Sequence, residues 1–382
     1  MVTIEGTSTA RFEPVRAALA AHLESGDELG ASLAVDVDGV MEVDLWGGHA
    51  DTARTIAWER DTLVSLWSTT KTLTSLAALV LVDRGELDLH RPVAEYWPEF
   101  AARGKQDIEV RHVLAHTAGL PGWEQPFTID DLYDWPTASA RLAGQAPWWE
   151  PGTAAGYHMQ TQGQLVGELV RRASGRTLAE FVDTEIAKPL EADVQIGARE
   201  ADWLRIAPLV PPSQTVEGMT GLDPEAFFTR TLFGSPARDE HVDTPGWRRA
   251  ELGAVNGHGN ARSLARTLSV ISRRGEANGH RLLSPDTVDR IFDVQADGVD
   301  LVLGVPVRWG VGYALSDPRT MPQMPTGRIC FWVGRGGSVV MMDLDRRVTF
   351  AYTMNRLDAG ILGSERTHGY IRQVYEALDA GL

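Results

Sequence analysis

The strand-like runs of this chain gather at its two ends, and that placement limits the fold more than any other feature of the sequence. Residues 9–25 open with apolar positions at helical spacing, Phe12, Val15, Leu19 and Leu23. Two β-rich runs follow, "ASLAVDVDGV" and "MEVDLWGGHAD", joined through Asp38-Gly39, a pair that predicts a tight hairpin. Four more runs lie near the other end, "VRWGVGYAL", "RICFWVG", "GSVVMMDLD" and "RVTFAYTMN", before a closing helical pattern over residues 363–380. Between about 70 and 290 the pattern is mainly helical, with loops marked by Pro121-Gly122, Pro147, Pro151-Gly152 and Pro211-Pro212.

An α+β fold satisfies that order with one continuous core: an antiparallel sheet built from both chain ends, flanked by terminal helices and carrying a large, mainly helical insertion. The expected division places residues 1–75 and 290–382 in an α/β sheet domain and 76–289 in a mainly helical one. A length of 382 residues suits such a two-part fold.

Composition narrows the partners. The 36 basic residues face 52 acidic ones, and the resulting charge of −16 is spread along the chain, a field that repels polyanions. No nucleic-acid partner is expected. The lone Cys330 rules out an intramolecular disulfide, and its apolar run reads as a buried strand thiol. No stretch approaches the roughly 20 apolar residues of a membrane span, and the first residues lack a basic start followed by an apolar core, so a cytoplasmic product is expected. Oligomeric state is not legible.

The run "TLVSLW" passes directly into "STTKTLTSLAALVLVDRGEL", where Leu73, Leu76, Ala77, Val80 and Leu81 form a helical stripe. Ser68 would open this helix, with Lys71 at i+3 on the same face. A serine hydroxyl becomes a good nucleophile when a nearby base takes its proton, and lysine serves once burial depresses its pKa. The competing reading is an ordinary N-cap serine beside a solvated lysine.

Several separated segments resemble the serine β-lactamase and penicillin-binding protein superfamily: "IEVRHVLAHTAGLPGW", "WEPGTAAGYHMQTQGQLVGELVRRASGRTLAEFVDTEIAKPL", "GNARSLART" and "FWVGRGGSVVMMD". Within it the sequence is most similar to family VIII carboxylesterases and class C β-lactamases. The resemblance implies a β-lactamase/DD-peptidase-like fold, a Ser-x-x-Lys nucleophile at Ser68 and Lys71, and a proton-moving tyrosine at Tyr157. It also implies a Lys-Thr-Gly-type strand triplet. No His-Glu-x-x-His motif is present and a lysine–tyrosine pair needs no histidine, so neither metal nor cofactor is expected.

Two departures bear on the substrate. Met159 stands where the family's Tyr-x-Asn element carries asparagine, and a thioether cannot replace that amide. The triplet falls either on Trp332, Val333 and Gly334 or on Arg335, Gly336 and Gly337; the first lacks the cation that suits a carboxylate. In the first placement the backbone amides of Ser68 and Arg335 would hold the oxyanion. Tyr157 is expected to have a lowered pKa beside Lys71, the alternative being a tyrosine packed in a loop. Trp67, Trp123, Trp148, Trp149 and Trp332 suggest an apolar cleft. His116 reads as structural, whereas His158, next to Tyr157, is expected to line the cleft. The leading expectation is a carboxylesterase acting on small to medium neutral esters, with Ser68, Lys71 and Tyr157 catalytic and Trp332, Gly334, Arg335, His158, Trp67 and Trp123 at the substrate. The alternatives are an amidase, acyltransferase or weak β-lactamase of the same chemistry, and a catalytically silent ligand-binding protein.

Overall fold

The computed structural model describes residues 3–212, 223–360 and 362–380. Among these, a nine-stranded sheet takes three strands from the first residues, β1 (Ile4–Ser8), β2 (Gly30–Val37) and β3 (Val40–Gly48). Six come from the other end: β4 (Ala296–Val299), β5 (Pro306–Trp309), β6 (Ala314–Leu315), β7 (Ile329–Val333), β8 (Val339–Asp343) and β9 (Val348–Met354). Their spatial order is β1-β3-β2-β9-β8-β7-β6-β5-β4, antiparallel throughout. The two chain ends meet at β2 and β9, where Ala31 lies opposite Met354 and Val37 opposite Val348. This is the α+β architecture that the sequence implies.

Asp38 and Gly39 form the hairpin turn between β2 and β3, both at positive φ, 51° and 88°. Glycine adopts that backbone freely and aspartate tolerates it. The run "VRWGVGYAL", expected as one strand, folds back into two antiparallel ones, β5 and β6, and two further strands were not anticipated. β1, with sequence IEGTS, and β4, with ADGV, are the edges of the sheet and mostly exposed, so neither has the apolar alternation that marks a half-buried strand.

Five helices position the rest: α1 (Glu13–Ser25), α2 (Thr70–Asp83), α3 (Thr161–Ser174), α4 (Ala261–Ser272) and α5 (Glu365–Asp379). Pleating sends neighbouring residues of β9 to opposite faces. Thr353 hydrogen-bonds Ser32, which accepts from the Ala261 amide at the start of α4, while the Tyr352 ring lies 4.9 Å from Tyr370 of α5. Helices α4 and α5 therefore cover opposite faces of one sheet, although α4 falls in the stretch expected to be helical insertion. Helix α2 packs against α3 and is buried on every side from Thr70 to Leu81, which extends the expected apolar stripe around the whole helix. No helix among the described residues is long and apolar enough to cross a membrane.

Candidate active site

Ser68 lies in a turn at the head of α2. The short strand Val64–Ser65 pairs with Gly257–Gly259, and the chain then passes through a 3-10 turn, Trp67–Thr69, before α2 begins. Ser68 thus precedes the α-helix by one turn. Trp67 takes φ +47°, a left-handed conformation that a bulky residue adopts only when its surroundings hold it there. The surroundings are evident. The Leu66 amide donates to Gly257 O at 2.8 Å, the Gly257 amide donates to Thr70 Oγ1 at 2.8 Å, and Ser338 Oγ donates to Leu66 O at 3.1 Å.

The end of β7 seats against this turn at Gly334. A methyl group there would lie 2.4 Å from Leu66 O and 2.2 Å from Ser338 Oγ, so only glycine permits the approach. Trp332 and Val333 complete the strand beside the nucleophile, whereas Arg335, Gly336 and Gly337 form the turn into β8, with Gly336 and Gly337 at φ +83° and +121°. This geometry fits the Trp332-Val333-Gly334 placement of the strand triplet.

Lys71 is buried, and its Nζ meets Met159 O at 2.7 Å, Ala254 O at 3.0 Å and Ser68 Oγ at 3.1 Å. Burial holds its pKa well below that of a free lysine, and no acidic neighbour among the described residues offsets the effect. An ammonium donates to all three oxygens. Once neutral, the amine keeps two N–H groups for the carbonyls and turns its lone pair toward Ser68.

Tyr157 faces the same lysine, its ring centroid 4.8 Å from Nζ. Its hydroxyl accepts the Trp332 indole N–H at 3.0 Å. Contrary to the sequence expectation, its pKa is raised: burial outweighs the opposing hydrogen bonds with Ser68 and Trp332, and the Asp300 charge adds to burial. The phenol is therefore a neutral donor. Asp300 also fixes its loop: Oδ1 accepts from the Tyr157, Val302 and Leu303 amides at 2.9 to 3.0 Å and Oδ2 from the Trp309 indole at 3.1 Å. Trp309 lies parallel to Tyr157, ring centroids 6.2 Å apart.

Ser68, Tyr157, Met159, Trp67, Trp332 and Arg335 all line one cleft, whose apolar lining also includes Phe228, Leu232, Leu303 and Leu362. His158 and Trp123 are not brought to it. His158 is fully buried, accepting the Leu120 amide at Nε2 and lying 2.7 Å from Gly156 O at Nδ1, so both ring nitrogens are taken by backbone. Trp123 stacks on Phe127 and donates to Ala138 O, and Trp148 and Trp149 also lie outside the cleft lining. The Arg335 side chain is bound by Asp239, Nε to Oδ1 and Nη2 to Oδ2, each at 2.6 Å. The sequence reading missed Asp239, Asp300 and the carbonyls of Met159 and Ala254. Backbone carbonyls leave no mark in a sequence, Asp239 opens a short 3-10 turn far along the chain from Arg335, and Asp300 lies still farther from Tyr157.

Residues 15–368 match the family described as Beta-lactamase. The chain is 32% identical to the "Esterase/beta-lactamase LipL" of Mycobacterium tuberculosis over 92% of its own length and 83% of that protein. Among solved structures it resembles a family VIII carboxylesterase (TM-score 0.91, 33% identity) and a penicillin-binding protein homolog from Caulobacter crescentus (TM-score 0.90, 34% identity). In both cases the match covers 98% of this chain and all of the other. With these likenesses, the protein is a serine hydrolase. The chain belongs to the β-lactamase family.

Proposed function

We propose that the protein is a carboxylesterase that cleaves small to medium neutral esters through an acyl-serine intermediate. The observation that carries this reading is Lys71 Nζ, buried, depressed in pKa and 3.1 Å from Ser68 Oγ. Neutral Lys71 takes the hydroxyl proton as Ser68 Oγ bonds to the ester carbonyl carbon. The amides of Ser68 and Arg335 hold the oxyanion while the tetrahedral intermediate stands. On collapse the C–O bond to the alcohol breaks, Tyr157 gives its proton to the departing alkoxide, and Lys71 restores the phenol. Water then attacks the acyl carbon as Lys71 takes one of its protons, and when the bond to Ser68 Oγ breaks that proton passes to the serine oxygen and the acid leaves.

Ester preference rests on the cleft. Trp332 stands where the resemblance places a carboxylate-binding lysine, Met159 where it places an asparagine, and Phe228, Leu232, Leu303 and Leu362 make much of the remaining lining apolar. A neutral acyl or alcohol group gains from that lining and needs neither polar contact. The test compares kcat/KM for nitrophenyl acetate, longer nitrophenyl esters and nitrocefin. Nitrophenyl esters are expected to be favoured, and a clear preference for nitrocefin would overturn the ester reading while keeping the serine and lysine chemistry.

A further inference from the structure

We infer that Asp239 is a specificity-determining residue: its carboxylate occupies the Arg335 guanidinium and closes the cleft to substrates that carry a carboxylate on the acyl side. The inference rests on the neutral-ester reading and names the group that enforces it.

Arg335 directly follows Gly334, the residue packed on the nucleophile turn, and both Arg335 and Asp239 line the cleft. A guanidinium at that position is what an acidic acyl chain would seek. Asp239 reaches it first, with two parallel N–H···O bonds of 2.6 Å, the fork geometry by which arginine recognises a carboxylate. The side chains are only 25% and 14% exposed, so solvent screens the pair partially. The neighbouring arginine is also committed: Arg238 donates to the carbonyls of Leu232, Ser235 and Ala237.

An incoming carboxylate therefore has to displace Asp239 and then lie beside it, two like charges at the edge of an apolar cleft. That is discrimination by repulsion, added to the attraction that the apolar lining of Phe228, Leu232 and Leu362 offers to a neutral chain. Asp239 contacts neither Ser68 nor Lys71, and its role concerns which acyl chain is accepted.

The test uses two fluorophosphonates of equal length, one ending in a methyl group and one in a carboxylate, and measures the second-order rate of Ser68 labelling by each. This readout does not depend on ester turnover, so it stands apart from the ester and nitrocefin comparison that tests the proposed function. In the wild-type protein the neutral probe is expected to label faster. In Asp239→Asn the ratio of acidic to neutral rates is expected to rise tenfold or more, on the order of what removing the charge of one member of a partly buried ion pair produces. Adding Arg335→Gln is expected to abolish that rise. A ratio unchanged in Asp239→Asn, or one that rises equally without Arg335, would overturn the inference. A neutral probe that labels each variant to full stoichiometry confirms that the variants are folded. Should Asp239→Asn fail to label, Asp239→Ser, which removes the charge from a smaller side chain, is measured in its place.

Discussion

Trp332 donates its indole N–H to the Tyr157 hydroxyl over 3.0 Å, the two rings lying 4.9 Å apart. The bond fills one lone pair of the phenol oxygen and leaves its proton to point elsewhere, toward the Ser68 side of the cleft. A strand position at which the resemblance calls for a cation thus supports the proton donor. Replacing Trp332 with Phe keeps an aromatic ring but removes the N–H together with part of the indole's buried bulk. Loss of one such bond, worth about 0.5–1.5 kcal/mol, is expected to lower kcat by roughly two- to tenfold with a smaller change in KM. An unchanged kcat on nitrophenyl acetate would count against this role.

Lys71 fixes the sign of the pH dependence. Burial lowers its pKa, so the active, unprotonated amine is lost as pH falls through that depressed value, and kcat/KM is expected to fall on the acid side. Tyr157 moves in the opposite direction and adds no alkaline loss near neutrality. Lys71→Arg, which stays protonated at every working pH, is expected to lose activity by orders of magnitude and to show no recovery at alkaline pH. A pH–rate profile with an intact acid limb in that variant would assign the limb to another group.

Ser68, Lys71 and Tyr157 pass protons among themselves, so their contributions are not expected to add. Ser68→Ala should abolish turnover and fluorophosphonate labelling while costing about 0.5–1.5 kcal/mol of stability at most, the worth of its hydrogen bond with Lys71. Lys71→Ala with Tyr157→Phe should be little worse than the worse single variant. Additive losses in a double-mutant cycle on kcat would show that the two act independently.

Away from the site, Glu28 gives stability a pH dependence of its own. It is fully buried among Arg366, Tyr352 and Tyr370, and burial raises its pKa from 4.5 to about 7 despite the guanidinium 2.6 Å away. The fold holds a proton that the unfolded chain releases, so this contribution is complete below about 4.5 and is lost as pH rises through about 7. The loss is up to about 3 kcal/mol. Glu28→Gln is expected to flatten this fall in urea midpoints between pH 5 and 8, and an equally steep fall in the variant would assign it elsewhere.

The sequence announces what depends on local pattern. Asp38-Gly39 marks its hairpin, the runs around Phe331 and Phe350 mark the buried strands, and Ser68 with Lys71 at i+3 marks a serine and lysine that the structure brings to 3.1 Å. It is silent where partners meet by backbone or across long separations. Nothing in "DGVDLVLG" shows that Asp300 will gather the amides of Tyr157, Val302 and Leu303, and nothing in "ARDEHV" shows that Asp239 will face Arg335. Adjacency to Tyr157 suggested that His158 reaches the cleft, yet the Leu120 amide and the Gly156 carbonyl take its two ring nitrogens, and His158 goes inward.

The seam between β2 and β9 sets the moment in synthesis at which this site can exist. Ser338, whose hydroxyl holds the nucleophile turn through Leu66, stands at the entrance to β8, and β9 is the strand that docks β8 onto the part of the sheet made first. Contacts between residues so distant in the chain form late and slowly. A ribosome that had delivered everything through α4 would have released Ser68, Lys71 and Tyr157, and the nascent chain would still lack the Ser338 hydroxyl that holds the nucleophile turn.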